Sequence, residues 1–165
     1  MSDVLETAQT LYFGYGSNVW IDQMNRRCPE SRYVGTAVLQ DWCWIINQRG
    51  YANVIPSPGD HVLGFIYELN PTDEASLDRY ESAPRIYEKR TMPVQLISSP
   101  SDGETVTKKT TNALVYIDFV NTSRDVPKAE YIHRINMALQ DGLKMGISQS
   151  YIDKYIRPFI PAESQ

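Results

Sequence analysis

The sequence predicts an α+β fold, a mostly antiparallel, strongly curved sheet or small barrel with a few helices packed on it. Three observations predict it. Segments rich in β-branched and aromatic residues outnumber the helical ones. Several of them are joined by connections of hairpin length, such as "SPGD" at 57–60 and "SDG" at 101–103. The few helical stretches carry their own start and stop signals.

In chain order, residues 1–9 read as a loose, polar terminus, and Leu11–Tyr15 as the first strand. Val19–Arg27 reads as a short helix ended by Pro29. Residues 33–48 form a strand around "DWCWIIN", and "SPGD" a turn. His61–Leu69 alternates, with Leu63, Phe65, Tyr67 and Leu69 on one face, which is strand periodicity. Asn70 can cap a helix, Pro71 suits its first position, and Asp73 and Glu74 favour its positive end. That helix runs to Tyr80 or Glu81, before Ala83-Pro84 stops it. Strands at 87–98 and 105–119 make a hairpin across the Ser-Asp-Gly turn. Residues 128–144 form a helix with Tyr131, Ile135, Ala138 and Gly142 on one side, and "SQSYIDKYI" a last short helix capped by Ser148. No repeat or linker divides the chain, so one domain over 1–165 is expected.

Bulk properties narrow the function. Of the 165 residues 42% are hydrophobic, enough to build a core. The net charge is −4 and no Lys/Arg block stands out, which argues against a nucleic-acid partner. Nothing approaches the ~18 apolar residues of a membrane span, and residues 1–10 lack the apolar stretch of a signal peptide. Cys28 and Cys43 have neither metal-ligand spacing nor a disulfide framework, and read as buried thiols of a reducing, cytoplasmic compartment.

Two places carry the chemistry. In "LYFGYGSN", residues 11–18, a strand runs into Gly14, Tyr15, Gly16, Ser17 and Asn18 and then a helix. Clustered backbone N–H groups there can hold an anion, and a glycine lets a ligand approach closely. A simple helix cap by Ser17 or Asn18 fits the same spacing. It is not a nucleotide fingerprint, because neither G-x-G-x-x-G nor G-x-x-x-x-G-K-[ST] is present. Glu81 ends its helix, where the partial negative charge of the dipole disfavours a carboxylate. A raised pKa would suit a proton shuttle, although a solvated surface glutamate is the plainer alternative. His61 and His133 lack partners at ligand spacing, so no metal site is expected. Among the eleven tyrosines, Tyr87 and Tyr116 lie on late strands and could reach a pocket, or pack in the core.

"YFGYGSN", "SPGDHVLGFIYELN" and "SLDRYE", with the late helix "YIHRINMALQDGLKMGI", together resemble the γ-glutamylcyclotransferase family over about residues 11–156. The resemblance implies a small, closed, mixed β-barrel. It implies that Tyr15, Gly16, Ser17 and Asn18 grip the α-amino and α-carboxylate end of a γ-glutamyl group, largely through backbone N–H. Glu81 matches the family's catalytic glutamate, Tyr87 a pocket tyrosine, and Tyr116 a residue near the pocket. The implied reaction is intramolecular: the α-amine attacks the γ-carbonyl, 5-oxoproline forms and the attached amine leaves. No metal or organic cofactor is implied. Candidate substrates are γ-glutamyl amino acids, γ-glutamyl amines and glutathione adducts of secondary metabolism. The sequence departs from the family after Tyr116, where "IDFVNTSRDVPK" is expected to shape the leaving-group side. With the acidic net charge, the expected anion grip is local, by amides 15–18 and without a basic patch. A non-catalytic binding module, and an isomerase or lyase on the same fold, remain open alternatives, as do monomer and homodimer.

Overall fold

The computed structural model describes residues 9–97 and 106–163, so residues 1–8 and the Ser-Asp-Gly turn at 101–103 lie outside the described part. The alternating segments become strands β1 (Thr10–Gly14), β2 (Arg32–Ile46), β3 (Ala52–Leu69), β4 (Glu88–Ile97) and β5 (Val106–Ile117). They close a barrel in the order β1-β3-β2-β4-β5. Antiparallel pairing joins all neighbours except β1 and β5, which run parallel through Tyr12 and Leu114. That single parallel seam makes the barrel mixed. Where β1 crosses β3, a Cβ on Gly64 would lie 2.3 Å from the Gly14 carbonyl oxygen, so only glycine permits the approach.

The long β2–β3 hairpin corrects one expectation. Its chain reversal is at 47–50, not at "SPGD": the Gly50 N–H donates to the Asn47 carbonyl at 2.8 Å, and Gly50 takes φ +88°. Asn at the first and Gly at the fourth position suit such a turn. Residues 57–60 lie inside β3, as an irregularity opposite Asp41, whose carboxylate accepts from the Gly59 N–H at 3.0 Å. The face containing Leu63, Phe65, Tyr67 and Leu69 is buried, but so are Val62 and Ile66, because both faces of β3 are covered here.

The helices are α1 (Ile21–Arg27), α2 (Pro71–Tyr80), α3 (Ala129–Lys144) and α4 (Gln149–Tyr151), the last passing into a π-helical turn at Ile152–Ile156. Two caps form as the side-chain chemistry dictates. The Asn70 carboxamide accepts from the Asp73 N–H at 2.8 Å, and the Ser148 hydroxyl accepts from the Tyr151 N–H at 3.2 Å. The expected Val19–Arg27 helix is instead a 3-10 turn, Ser17–Val19, an extended Trp20, and then α1. The first amide of α1, Ile21, donates to the Asp141 carboxylate of α3 at 2.8 Å. Tyr131, Ile135, Ala138 and Gly142 are buried along α3, and Phe13, Trp44, Phe65 and Tyr67 are central to the core. Cys28 and Cys43 are buried free thiols; burial pushes Cys28 up to about 12. No described helix is long and apolar enough to cross a membrane.

Candidate active site

The loop that leaves β1 is tied down from several directions. The Tyr15 hydroxyl donates to the Tyr116 carbonyl of β5 at 2.6 Å, and the Trp44 indole N–H donates to the Tyr15 carbonyl at 2.9 Å. Gly16 follows with φ −113°, which any residue can adopt. Its requirement for glycine is steric: a Cβ would stand 2.9 Å from the Tyr131 hydroxyl and 3.1 Å from the Ala52 methyl. Only the Val19 and Trp20 amides bond back into the 3-10 turn, to the Gly16 and Ser17 carbonyls. The N–H groups that precede them therefore have no partner within the turn.

Neither Ser17 nor Asn18 caps a helix with its side chain. Both are buried in a polar network. Gln23 Nε2 donates to Ser17 Oγ at 2.8 Å and to Asn18 Oδ1 at 2.9 Å. Asn18 Nδ2 donates to the Tyr12 hydroxyl at 2.9 Å, and the Tyr67 hydroxyl donates to the Asn18 carbonyl at 2.7 Å. Seven polar atoms are satisfied this way, so the capped-turn alternative fails and the side chains hold the loop in shape.

That loop forms one wall of a cavity of about 240 Å³. Glu81, the residue that closes α2, stands on the other side with Ser82. Tyr87 and Tyr116 also line it, so all seven residues singled out from the sequence share one cavity. The Tyr87 hydroxyl donates to the Ala52 carbonyl at 2.9 Å, and the Tyr116 hydroxyl to Asp78 Oδ1 at 2.5 Å. With their protons so engaged, both oxygens keep acceptor capacity only.

Three arginines were not foreseen. Arg27, Arg49 and Arg134 come from α1, the β2–β3 turn and α3, and all line the cavity. The anion grip was expected to work without dependence on a basic patch, yet three guanidinium groups stand around the cavity. Arg27 bridges the two walls: its guanidinium is 3.3 Å from Asn18 Oδ1 and 3.7 Å from Glu81 Oε2. Arg134 reaches Ser17 Oγ and Gln23 Oε1 while pairing with Glu130 at 3.0 Å. Each lies in a different element, and no local spacing marks any of them.

The Glu81 side chain is 20% exposed, and burial raises its carboxyl above the usual range; the charges of Arg27, Arg134 and Arg49 pull it back. Removal from water is the main cause. The 117–128 segment, expected to shape the leaving-group side, does not itself line the cavity; it braces the 47–53 turn, which does. Asn53 Nδ2 donates to the Asp118 carbonyl at 2.8 Å, and the Lys128 N–H donates to the Gly50 carbonyl at 3.1 Å.

A closed five-stranded barrel with a tyrosine-rich cavity lined by one partly buried glutamate defines the class. The family model described as "Gamma-glutamyl cyclotransferase, AIG2-like" matches residues 12–133, and the chain belongs to that family. It is 28% identical over 110 residues to a bovine gamma-glutamylcyclotransferase, covering 59% of this chain and 55% of the relative. A mouse gamma-glutamylcyclotransferase is 26% identical over 155 residues, covering 87% and 76%. The chain thus spans about half of the bovine relative and three quarters of the mouse one. A solved structure titled "Gamma-glutamyl cyclotransferase" superposes with a TM-score of 0.75 at 22% identity, covering 96% of this chain and 91% of that one, which shows the shared fold.

Proposed function

We propose that the protein is a γ-glutamylcyclotransferase that cyclises a γ-glutamyl group to 5-oxoproline and releases the attached amine. The observation that carries this reading is Glu81: one carboxylate, raised by burial, facing a rigid glycine loop across a cavity of small-molecule size. In this reading the α-carboxylate of the substrate rests on the 3-10 turn amides, aided by Arg134 or Arg27. The Tyr87 and Tyr116 oxygens accept from the α-ammonium.

Glu81 takes one proton from the α-ammonium, and the freed nitrogen attacks the γ-carbonyl carbon. A C–N bond closes the five-membered ring while the carbonyl oxygen becomes an oxyanion. Glu81 then returns its proton to the leaving nitrogen, the old C–N bond breaks and the carbonyl re-forms; Glu81 takes the second proton from the ring nitrogen and passes it to the released amine, which departs as an ammonium. The raised pKa suits both roles, base first and acid second. Since nucleophile and electrophile belong to one molecule, holding the curled conformer supplies much of the rate. Protons and atoms balance with substrate and Glu81 alone.

Incubation with a panel of γ-glutamyl amino acids, amines and glutathione conjugates, read for 5-oxoproline by mass, tests the proposal. Release from at least one class is expected. Tight binding without release across the panel would point to a binding module instead.

A further inference from the structure

Arg49 differs from the other two cavity arginines. Arg27 faces Glu81 at 3.7 Å, and Arg134 is paired with Glu130 at 3.0 Å. Among the described residues Arg49 forms no ion pair; its guanidinium lies over the Tyr51 ring, 5.6 Å from the centroid. Yet its backbone is held firmly. The Arg49 N–H donates to Asn47 Oδ1 at 3.1 Å, and Asn47 Nδ2 donates to Asp118 Oδ2 at 3.3 Å. Beyond it, Gly50 sits at φ +88° against Lys128, whose Cγ would lie 2.7 Å from any added Cβ. The chain therefore presents one unpaired cation at the cavity from a fixed turn.

The charges say what that cation is for. Glu81 offsets Arg27, and Glu130 offsets Arg134, so one positive charge remains in the site. A γ-glutamyl head is itself balanced, with one ammonium and one carboxylate. Occupied by that head alone, the cavity would keep an uncompensated arginine partly removed from water, which is unfavourable. A second carboxylate on the substrate, attached to the leaving nitrogen, would cancel it.

Resting on the cyclotransferase reading, we propose that Arg49 is a specificity residue that binds a carboxylate on the leaving group, so that the substrates are γ-glutamyl amino acids or peptides rather than γ-glutamyl amines. The segment braced against this turn, 117–128, is the part of the sequence that departs from the family pattern. Its bearing on the leaving group runs through the position of Arg49, not through direct contact.

Two compounds that differ only in that carboxylate test the assignment: γ-glutamyl-alanine and γ-glutamyl-ethylamide. The wild-type protein should favour the acid in kcat/KM by roughly 10- to 100-fold, the scale of one charge-assisted hydrogen bond. Arg49→Met should lose that factor on the acid over and above any change on the ethylamide, which reads the effect of the lost charge on Glu81, and so bring the ratio near one. Arg49→Lys, which keeps the charge, should restore part of the preference. An unchanged ratio in Arg49→Met, or equal losses on both compounds, overturns the assignment. If neither compound yields 5-oxoproline, the cyclotransferase reading fails on its own, and calorimetry with the same two compounds still decides the role of Arg49. Tighter binding of the acid that Arg49→Met abolishes supports it; equal affinities, a preference that survives the substitution, or no binding of either overturns it.

Discussion

Two carboxylates mark two regions, one at the cavity and one behind the turn that lines it, and they are held in opposite ways. Asp118, beyond β5, is 1% exposed. Its Oδ1 accepts from the Val120 and Asn121 N–H groups at 3.0 and 2.9 Å, and its Oδ2 from the Asn47 and Asn121 carboxamides at 3.3 and 2.9 Å. Glu81, beyond α2, is raised by burial and among the described residues pairs only with the Arg27 guanidinium, at 3.7 Å. A carboxylate with every lone pair occupied holds a structure together. One that is short of donors beside a cavity is available to move a proton. Burial alone does not separate the two; the count of donors does.

The sharpest break of this comparison is Glu81→Gln. It should lower 5-oxoproline release by ~10²–10⁴-fold while leaving the urea midpoint at or above that of the wild type. A rate within about tenfold of wild type would remove Glu81 from the proton path. The mirror experiment is Asp118→Ala, which takes the acceptor away from the buried Asn47 carboxamide, the Val120 and Asn121 N–H groups and the Asn121 carboxamide. Urea denaturation should show a loss of about 2–4 kcal/mol, from two or more unsatisfied buried groups.

pH refines the contrast. Because the folded-state pKa of Glu81 is raised above its unfolded value, the ionised group opposes folding at neutral pH. That penalty is relieved as pH falls through the folded pKa. Glu81→Gln should therefore melt above wild type at pH 7, with the gap closing towards the unfolded-state value of about 4.3. The acid limb of kcat/KM should likewise sit above that value, since only the carboxylate accepts the ammonium proton. A limb below it would contradict the burial argument. Asp22 is the control: it pairs with Arg26 at 3.1 Å across one helical turn, 69% exposed. Asp22→Ala should change stability by less than about 0.5 kcal/mol and activity not at all.

Several features were legible in the sequence because they are local. Asn70 and Pro71 start a helix through backbone chemistry within four residues, and Ser148 does the same. The strand-to-glycine loop at 14–18 and the helix-ending Glu81 stood out by their placement, and the family resemblance supplied Tyr87 and Tyr116. Other readings failed where distant contacts decide. "SPGD" has every mark of a turn, yet pairing with β2 carries the strand through it, and the reversal falls at the Asn-x-x-Gly of 47–50.

By itself, then, the sequence determined the element types, the mostly antiparallel character, and two ends of the site, because caps, turns and period-two patterns act over a few residues. Tertiary structure decided the rest. Ser17 and Asn18 look like caps until Gln23 and Tyr67 claim their hydrogen bonds. Arg27, Arg49 and Arg134 look like solvated surface charges until barrel closure and the packing of α3 bring them round one cavity. Charge balance in a site depends on which groups end up within a few ångströms of one another, and for residues more than a hundred positions apart only the closed fold sets that distance.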